Sequence, residues 1–166
     1  MIRTMIRTIG LAGLIAGSIL SAASLPNPTA DEGKSEKKTE TVVLAGGCFW
    51  GVEAVFDAVK GVSDAVSGYA GGSKANAHYE IVSSGTTGHA ESVEITYDPS
   101  QITFGKLLKI YFSVAHDPTE LNRQGPDEGT QYRSQIFYNS EEQKRIAEAY
   151  IQQLNAAKVF RKPIAT

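Results

Sequence analysis

The chain has 166 residues, 42% of them hydrophobic and 20% charged, which is enough apolar side chain for one globular domain and does not suggest disorder. Its formal net charge is −2, so no basic excess exists to hold a phosphate backbone, and nucleic acid is not an expected partner. The three histidines, His78, His89 and His116, lack metal-ligand spacing with the single cysteine, and no metal is expected.

Taken in chain order, the first eight residues, MIRTMIRT, carry Arg3 and Arg7 and no acid. Residues 9–20, IGLAGLIAGSIL, are an apolar run broken only by Ser18 and glycines, and SAAS follows. A positive start, an apolar stretch and small residues at a cleavage position make a signal peptide over 1–23, cut after Ala23. An exported, periplasmic protein is expected. The run is short against the ~20 residues of a spanning helix and would act as a membrane anchor only if left uncleaved. Residues 24–40, SLPNPTADEGKSEKKTE, contain two prolines and no aromatic residue and read as a flexible, solvated linker with no core of its own. The folded domain is expected over 41–166.

Within that domain TVVLAGG is a short buried strand bounded by glycines. Phe49, Val52, Val55, Phe56 and Val59 then recur at helical spacing, with Gly61 as the stop. VSDAVSGYAGG predicts a strand running into a glycine turn. ESVEITYDP alternates, with Val93, Ile95 and Tyr97 on one face and Ser92, Glu94 and Thr96 on the other. Phe104, Leu107, Leu108, Tyr111, Phe112 and Ala115 predict a second amphipathic helix, and RSQIFYN another strand. Ser140 with Gln143 three residues on is a capping box for a third helix, whose inner stripe is Ile146, Ala147, Tyr150 and Leu154. The order β-α-β-β-α-β-α predicts an α+β fold: a two-layer α/β plait, or ferredoxin-like sandwich, with helices over one sheet and an extra C-terminal helix.

The lone cysteine, Cys48, lies in VVLAGGCFWGVEAVF, at the junction of the first strand and helix. A thiol at the first turn of a helix meets unpaired N–H groups and the positive dipole end, a setting that favours the nucleophilic thiolate. The preceding glycines allow a sharp turn and leave room for a reactant. A buried structural cysteine is the plainer reading of a single thiol. It does not require Gly-Gly before it, however, and an exported chain with one unpaired thiol carries an oxidation liability. Strand alternation places Glu91 on the same face as Val93, Ile95 and Tyr97. A carboxyl ending an apolar row is poorly solvated and favours its protonated form. Glu53 and Glu94 read as solvated helix and strand faces.

GGCFWGVE, GVSDAVSGYAGG, HYEIVSSGTTGHAESVEITYDP, FSVAHDPT and RQGPDEGTQYRSQIFY, in that order, resemble the A-type peptide methionine sulfoxide reductases over roughly residues 41–166. The resemblance implies reduction of the S-epimer of methionine sulfoxide, free or in oxidised proteins. A thiolate attacks the sulfoxide sulfur, methionine leaves, and a sulfenic acid remains. Cys48 matches the nucleophile and Glu91 the acid. Phe49 and Trp50 match the aromatic pair around the substrate methyl group, although Phe49 also falls on the helix's apolar stripe. Tyr79, Asp127 and Tyr132 match other residues lining the same pocket. No bound cofactor is implied. The reductant is an external thiol, whether thioredoxin, a glutaredoxin-like protein or a small thiol, and a monomer is expected.

The chain departs from that pattern in having no further cysteine to resolve the sulfenic acid. Ser83 or Ser84 stands where the family carries a cysteine, and the sequence ends at RKPIAT, where relatives continue into a tail. A domain without its C-terminal tail is expected. Two other classes fit a lone activated thiol: a thiol peroxidase or cysteine hydrolase, and a non-catalytic module that binds methionine sulfoxide. A hydrolase needs a histidine paired to the thiol, and no neighbour of Cys48 in the sequence supplies one.

Overall fold

The structure, a computed structural model, describes residues 25–33, 35 and 39–166. The expected signal peptide, residues 1–23, lies outside them.

Seven main elements follow in the predicted order. β1 (Glu40–Ala45) leads into α1 (Phe49–Asp57) and then β2 (Val62–Ala70). After a loop carrying the one-turn helix α2 (Tyr79–Val82) come β3 (Ala90–Tyr97) and α3 (Phe104–Ile110). α3 runs on into a π-helical turn, Tyr111–Ala115. A two-residue-per-strand hairpin, β4 (Arg123–Gln124) and β5 (Asp127–Glu128), precedes β6 (Gln135–Phe137) and α4 (Glu141–Ala156). The four longer strands pair in the order β2-β3-β1-β6, each pair antiparallel. That is the ferredoxin-like plait expected from the sequence, with α4 added.

One face of the sheet carries Val42 and Leu44 from β1 and Val93, Ile95 and Tyr97 from β3, all fully buried. They form a single cluster with Phe49, Val52 and Phe56 of α1, Phe104, Leu107 and Leu108 of α3, and Ile146, Tyr150 and Leu154 of α4. Each such side chain contributes ~1.5–3 kcal/mol by leaving water, so this layer is where the fold's stability resides. The helices begin as their caps direct. Thr103 accepts from the Lys106 N–H, and Ser140 from the Gln143 N–H at 3.1 Å. The Gln143 carboxamide accepts from Asn139 N–H and donates to the Thr41 carbonyl, tying α4 to β1.

Two expectations need correction. Glu53 is not a solvated helix residue, because its carboxylate accepts the Ser67 N–H at 2.8 Å and covers part of the free edge of β2. Residues 25–33 of the expected linker are not a free tether either, although Asn27, Thr29 and Gly33 stay exposed. Leu25 joins the core, and the Pro26 carbonyl accepts the Tyr150 hydroxyl. Asp31 accepts from Thr103 Oγ1 and the Gly105 N–H, while Glu32 accepts from the Phe104 N–H and Tyr97 OH. The start of α3 has unpaired donors that two carboxylates satisfy better than water, and this docks the segment as a strap.

Candidate active site

β1 ends at Ala45, and the chain turns through Gly46 and Gly47 before Cys48 opens α1. Gly47 has φ +85°, a left-handed conformation that a side chain would strain. The space around both glycines is occupied by protein. A Cβ on Gly46 would stand 2.8 Å from the His116 ring, and one on Gly47 would stand 2.6 Å from Gln124. The glycines therefore serve a sharp turn packed closely against His116 and Gln124. Cys48 is the N-cap residue of α1, half-buried and not in a disulfide.

α1 has no side-chain cap of its own. Its first N–H, from Phe49, is taken by Glu91 Oε2 at 3.1 Å, reaching across from the start of β3. The carboxyl of Glu91, 5% exposed, thus sits one residue from Cys48. Burial pushes its pKa up, the Phe49 hydrogen bond opposes this, and the charge of Asp127 adds to the rise. The acid side chain read from strand alternation is thereby brought to the turn that carries the thiol.

The aromatic residues gather around the same point. The buried Phe49 ring lies 5.4 Å from the ring of Trp50 and 5.6 Å from that of Tyr69. Trp50 is 62% exposed and Tyr79 51%, so both stand at the rim. Tyr132 and Asp127 are half-buried. The Tyr132 phenol is pushed up first by burial, then by the charges of Glu91 and Asp127, with Tyr79 and Cys48 also contributing. All seven residues singled out in the sequence therefore belong to one neighbourhood.

Three residues at this site had no signal of their own. Tyr69 pairs with Glu91 across β2 and β3, and burial followed by the Glu91 charge raises its phenol pKa. Arg133 donates to the carbonyls of Gly88 and His89 and to that of Thr130, tying the loop before Glu91 to the one before Tyr132. Gln124 brackets Asp117, accepting its N–H and donating to its carbonyl. His89 shapes the loop before Glu91. Its Nδ1 meets Thr87 Oγ1 at 2.8 Å, and its ring leaves no space for a side chain at Gly72. Among the described residues no group of His, Cys, Asp and Glu could hold a metal.

A half-buried thiol at a helix start, a buried high-pKa carboxyl beside it, a patch of aromatic rings and phenols above can bind an apolar S–CH₃ group and protonate an oxygen that leaves sulfur. Comparison with known proteins gives the same chemistry. Residues 40–166 match the family model described as peptide methionine sulfoxide reductase. A Mesorhizobium japonicum protein, peptide methionine sulfoxide reductase MsrA 2, is 63% identical over 133 residues, covering 80% of this chain and 68% of the relative. The crystal structure of reduced Mxr1 from Saccharomyces cerevisiae superposes with a TM-score of 0.70 at 34% identity, over 80% of this chain and 76% of that one. The same yeast protein in complex with Trx2 gives 0.54 at 25% identity, with the same coverage. With a family model spanning the whole plait and such identity across it, the chain belongs to the peptide methionine sulfoxide reductase family.

Proposed function

We propose that this protein reduces the S-epimer of methionine sulfoxide to methionine, with Cys48 as nucleophile and Glu91 as general acid. The Cys48 thiolate attacks the sulfoxide sulfur while Glu91 supplies a proton to the departing oxygen. Attack forms an S–S bond between Cys48 Sγ and the substrate sulfur. The protonated oxygen then passes to Cys48 Sγ as the substrate S–O bond and the S–S bond break, the S–S electron pair staying on the methionine sulfur, so methionine is released and Cys48 becomes a sulfenic acid. Phe49 and Trp50 receive the substrate methyl group, and Tyr79, Tyr132 and Asp127 hold the oxygen and order the donors around it. The observation that carries this reading is the Glu91 carboxyl, buried, raised in pKa and bonded to the N–H next to Cys48.

An external thiol then attacks the sulfenic acid, expelling water and giving a mixed disulfide that a second thiol clears. A thioredoxin fits this role by analogy with the yeast relative solved with Trx2. A glutaredoxin-like protein or a small thiol fits the single cysteine. The arginine-bearing, apolar N-terminal sequence supports export to the periplasm, where oxidised proteins or free methionine sulfoxide would be met by a monomeric enzyme.

A methionine sulfoxide peptide, resolved by sulfur epimer, tests the reading with dithiothreitol as donor. The S form should be consumed and the R form left, and Cys48→Ser should abolish turnover while the circular dichroism spectrum is kept. Equal consumption of both epimers, or turnover in Cys48→Ser, would refute it.

A further inference from the structure

Beneath the Cys48 turn lies a set of polar side chains that the reaction above does not use. Tyr111 OH is 2.6 Å from the Ala45 carbonyl oxygen and 2.9 Å from Ser134 Oγ. Ser134 Oγ is in turn 2.6 Å from His116 Nε2 and 2.6 Å from Thr166 Oγ1. A carbonyl only accepts, so the phenol proton is committed to Ala45. Ser134 must then donate to the phenol oxygen, and His116 and Thr166 must donate to Ser134. Only this assignment makes all four bonds. It runs in one direction, from the His116 Nε2–H through Ser134 and Tyr111 to the last residue of β1, three positions before the nucleophile. It requires a proton on His116 Nε2, while the other ring nitrogen, Nδ1, is buried with no partner.

The same residues close on the turn from its inner side. The rings of Tyr111 and His116 lie 4.2 Å apart, and the His116 ring fills the place of a Gly46 side chain. Gln124, which fills the place of one at Gly47, is clamped to the backbone of Asp117, the residue after His116. Hydrogen bonding from below and packing from the side thus converge on three consecutive residues, Ala45 to Gly47.

We propose that His116, Ser134 and Tyr111 are positioning residues for the nucleophile: their hydrogen-bond chain, ending on the Ala45 carbonyl, fixes the path of the Gly46–Gly47 turn and so the place of Cys48 Sγ against the sulfoxide. This rests on Cys48 being the nucleophile. The three side chains touch neither substrate nor thiol in this scheme, so they act on the rate of attack and not on substrate affinity. A misplacement of ~1 Å in such an attack costs on the order of 10²-fold.

The test uses Tyr111→Phe and Ser134→Ala, which delete one hydroxyl each and keep the packing. Methionine released in a single turnover at saturating S-sulfoxide peptide should slow by about 10–100-fold, with KM within about 2-fold of wild type. Hydrogen exchange of the 45–49 segment, followed by mass spectrometry, should accelerate in both variants. A rate within about 2-fold of wild type with unchanged exchange would overturn the proposal, even if thermal stability fell, and so would a loss carried by KM alone. Exchange keeps this result separate from that of the proposed reaction. If wild type released no methionine, the reaction would fail, while the 45–49 exchange would still report whether the chain holds the turn.

Discussion

Glu91 is asked to satisfy two demands that pull its proton in opposite directions. The hydrogen bond from Phe49 favours the carboxylate, whereas burial and Asp127 favour the acid, burial being the largest influence. A general acid works in its protonated form, so the rate of the first turnover should fall as pH rises through the raised Glu91 pKa. Glu91→Gln still accepts from Phe49 but has no transferable proton. It should lose about 10²–10⁴-fold in single-turnover rate, and its pH profile should lack that descending limb. An unchanged rate would remove Glu91 from the chemistry. His116 gives a second pH dependence, this one in stability. Burial lowers its pKa from 6.5 to about 4, so between those values the unfolded chain binds a proton that the folded chain refuses. Stability from this group is complete above pH 6.5 and declines as pH falls toward 4, by on the order of 3 kcal/mol. Urea unfolding of wild type and His116→Asn at pH 7 and pH 4.5 measures it. The wild type should lose more than the variant on acidification.

Among the elements, α1 and the N-terminal strap depend most on distant parts of the chain. α1 is nine residues long and takes its first hydrogen bond from β3. Its start is therefore fixed by the acid that it places beside Cys48, and the helix start and the Glu91 position are formed together. The strap caps α3 through Asp31 and Glu32 and seats Leu25, 9% exposed, in the core. Leu25→Ala should lower the free energy of unfolding by about 2 kcal/mol, whereas a residue on a solvated tether would change it by less than ~0.5 kcal/mol. Chemical denaturation of the two proteins decides between these. Val82 and the rest of α2 place Tyr79 differently: this one-turn helix leaves the phenol half-exposed at the rim, where a peptide substrate can displace water from it.

At the scale of the whole molecule, one cysteine in 166 residues limits what can follow the first turnover. A polypeptide of this sequence forms no intramolecular disulfide. Without reductant it should release one methionine per chain and stop as a sulfenic acid that dimedone captures. Mass spectrometry after one turnover should show a single dimedone adduct on the peptide containing Cys48. Two methionines per chain, or a covalent dimer through Cys48, would show a different recycling route. With external thiols, small dithiols should support turnover at least as well as thioredoxin, because thioredoxin acts best on a disulfide and here meets a sulfenic acid or mixed disulfide.

Local periodicity was enough for most of the architecture. Val93, Ile95 and Tyr97 at period two, and Phe104, Leu107, Leu108 and Tyr111 at helical spacing, mark which face of each element is apolar, and burying those faces together leaves few arrangements other than a plait. The positions of Cys48 at a helix start and of Glu91 on the buried face of β3 were legible too, since the thiol follows a glycine pair and the acid ends an apolar row. Tyr69 was not. Whether it stands opposite Glu91 depends on the register of β2 against β3, which shifts at an irregularity between Val62 and Asp64, and one step of register would turn its ring to the other face. The strap was misread because its composition is polar and its single leucine finds a core only after α3 and α4 have met. His116 bonds a hydroxyl 18 positions away, and Arg133 bonds carbonyls 44 and 45 positions away. A side chain's period along the chain says which way it faces, but its hydrogen-bond partner is chosen by which segments tertiary packing brings within 3 Å, and that only the folded molecule decides.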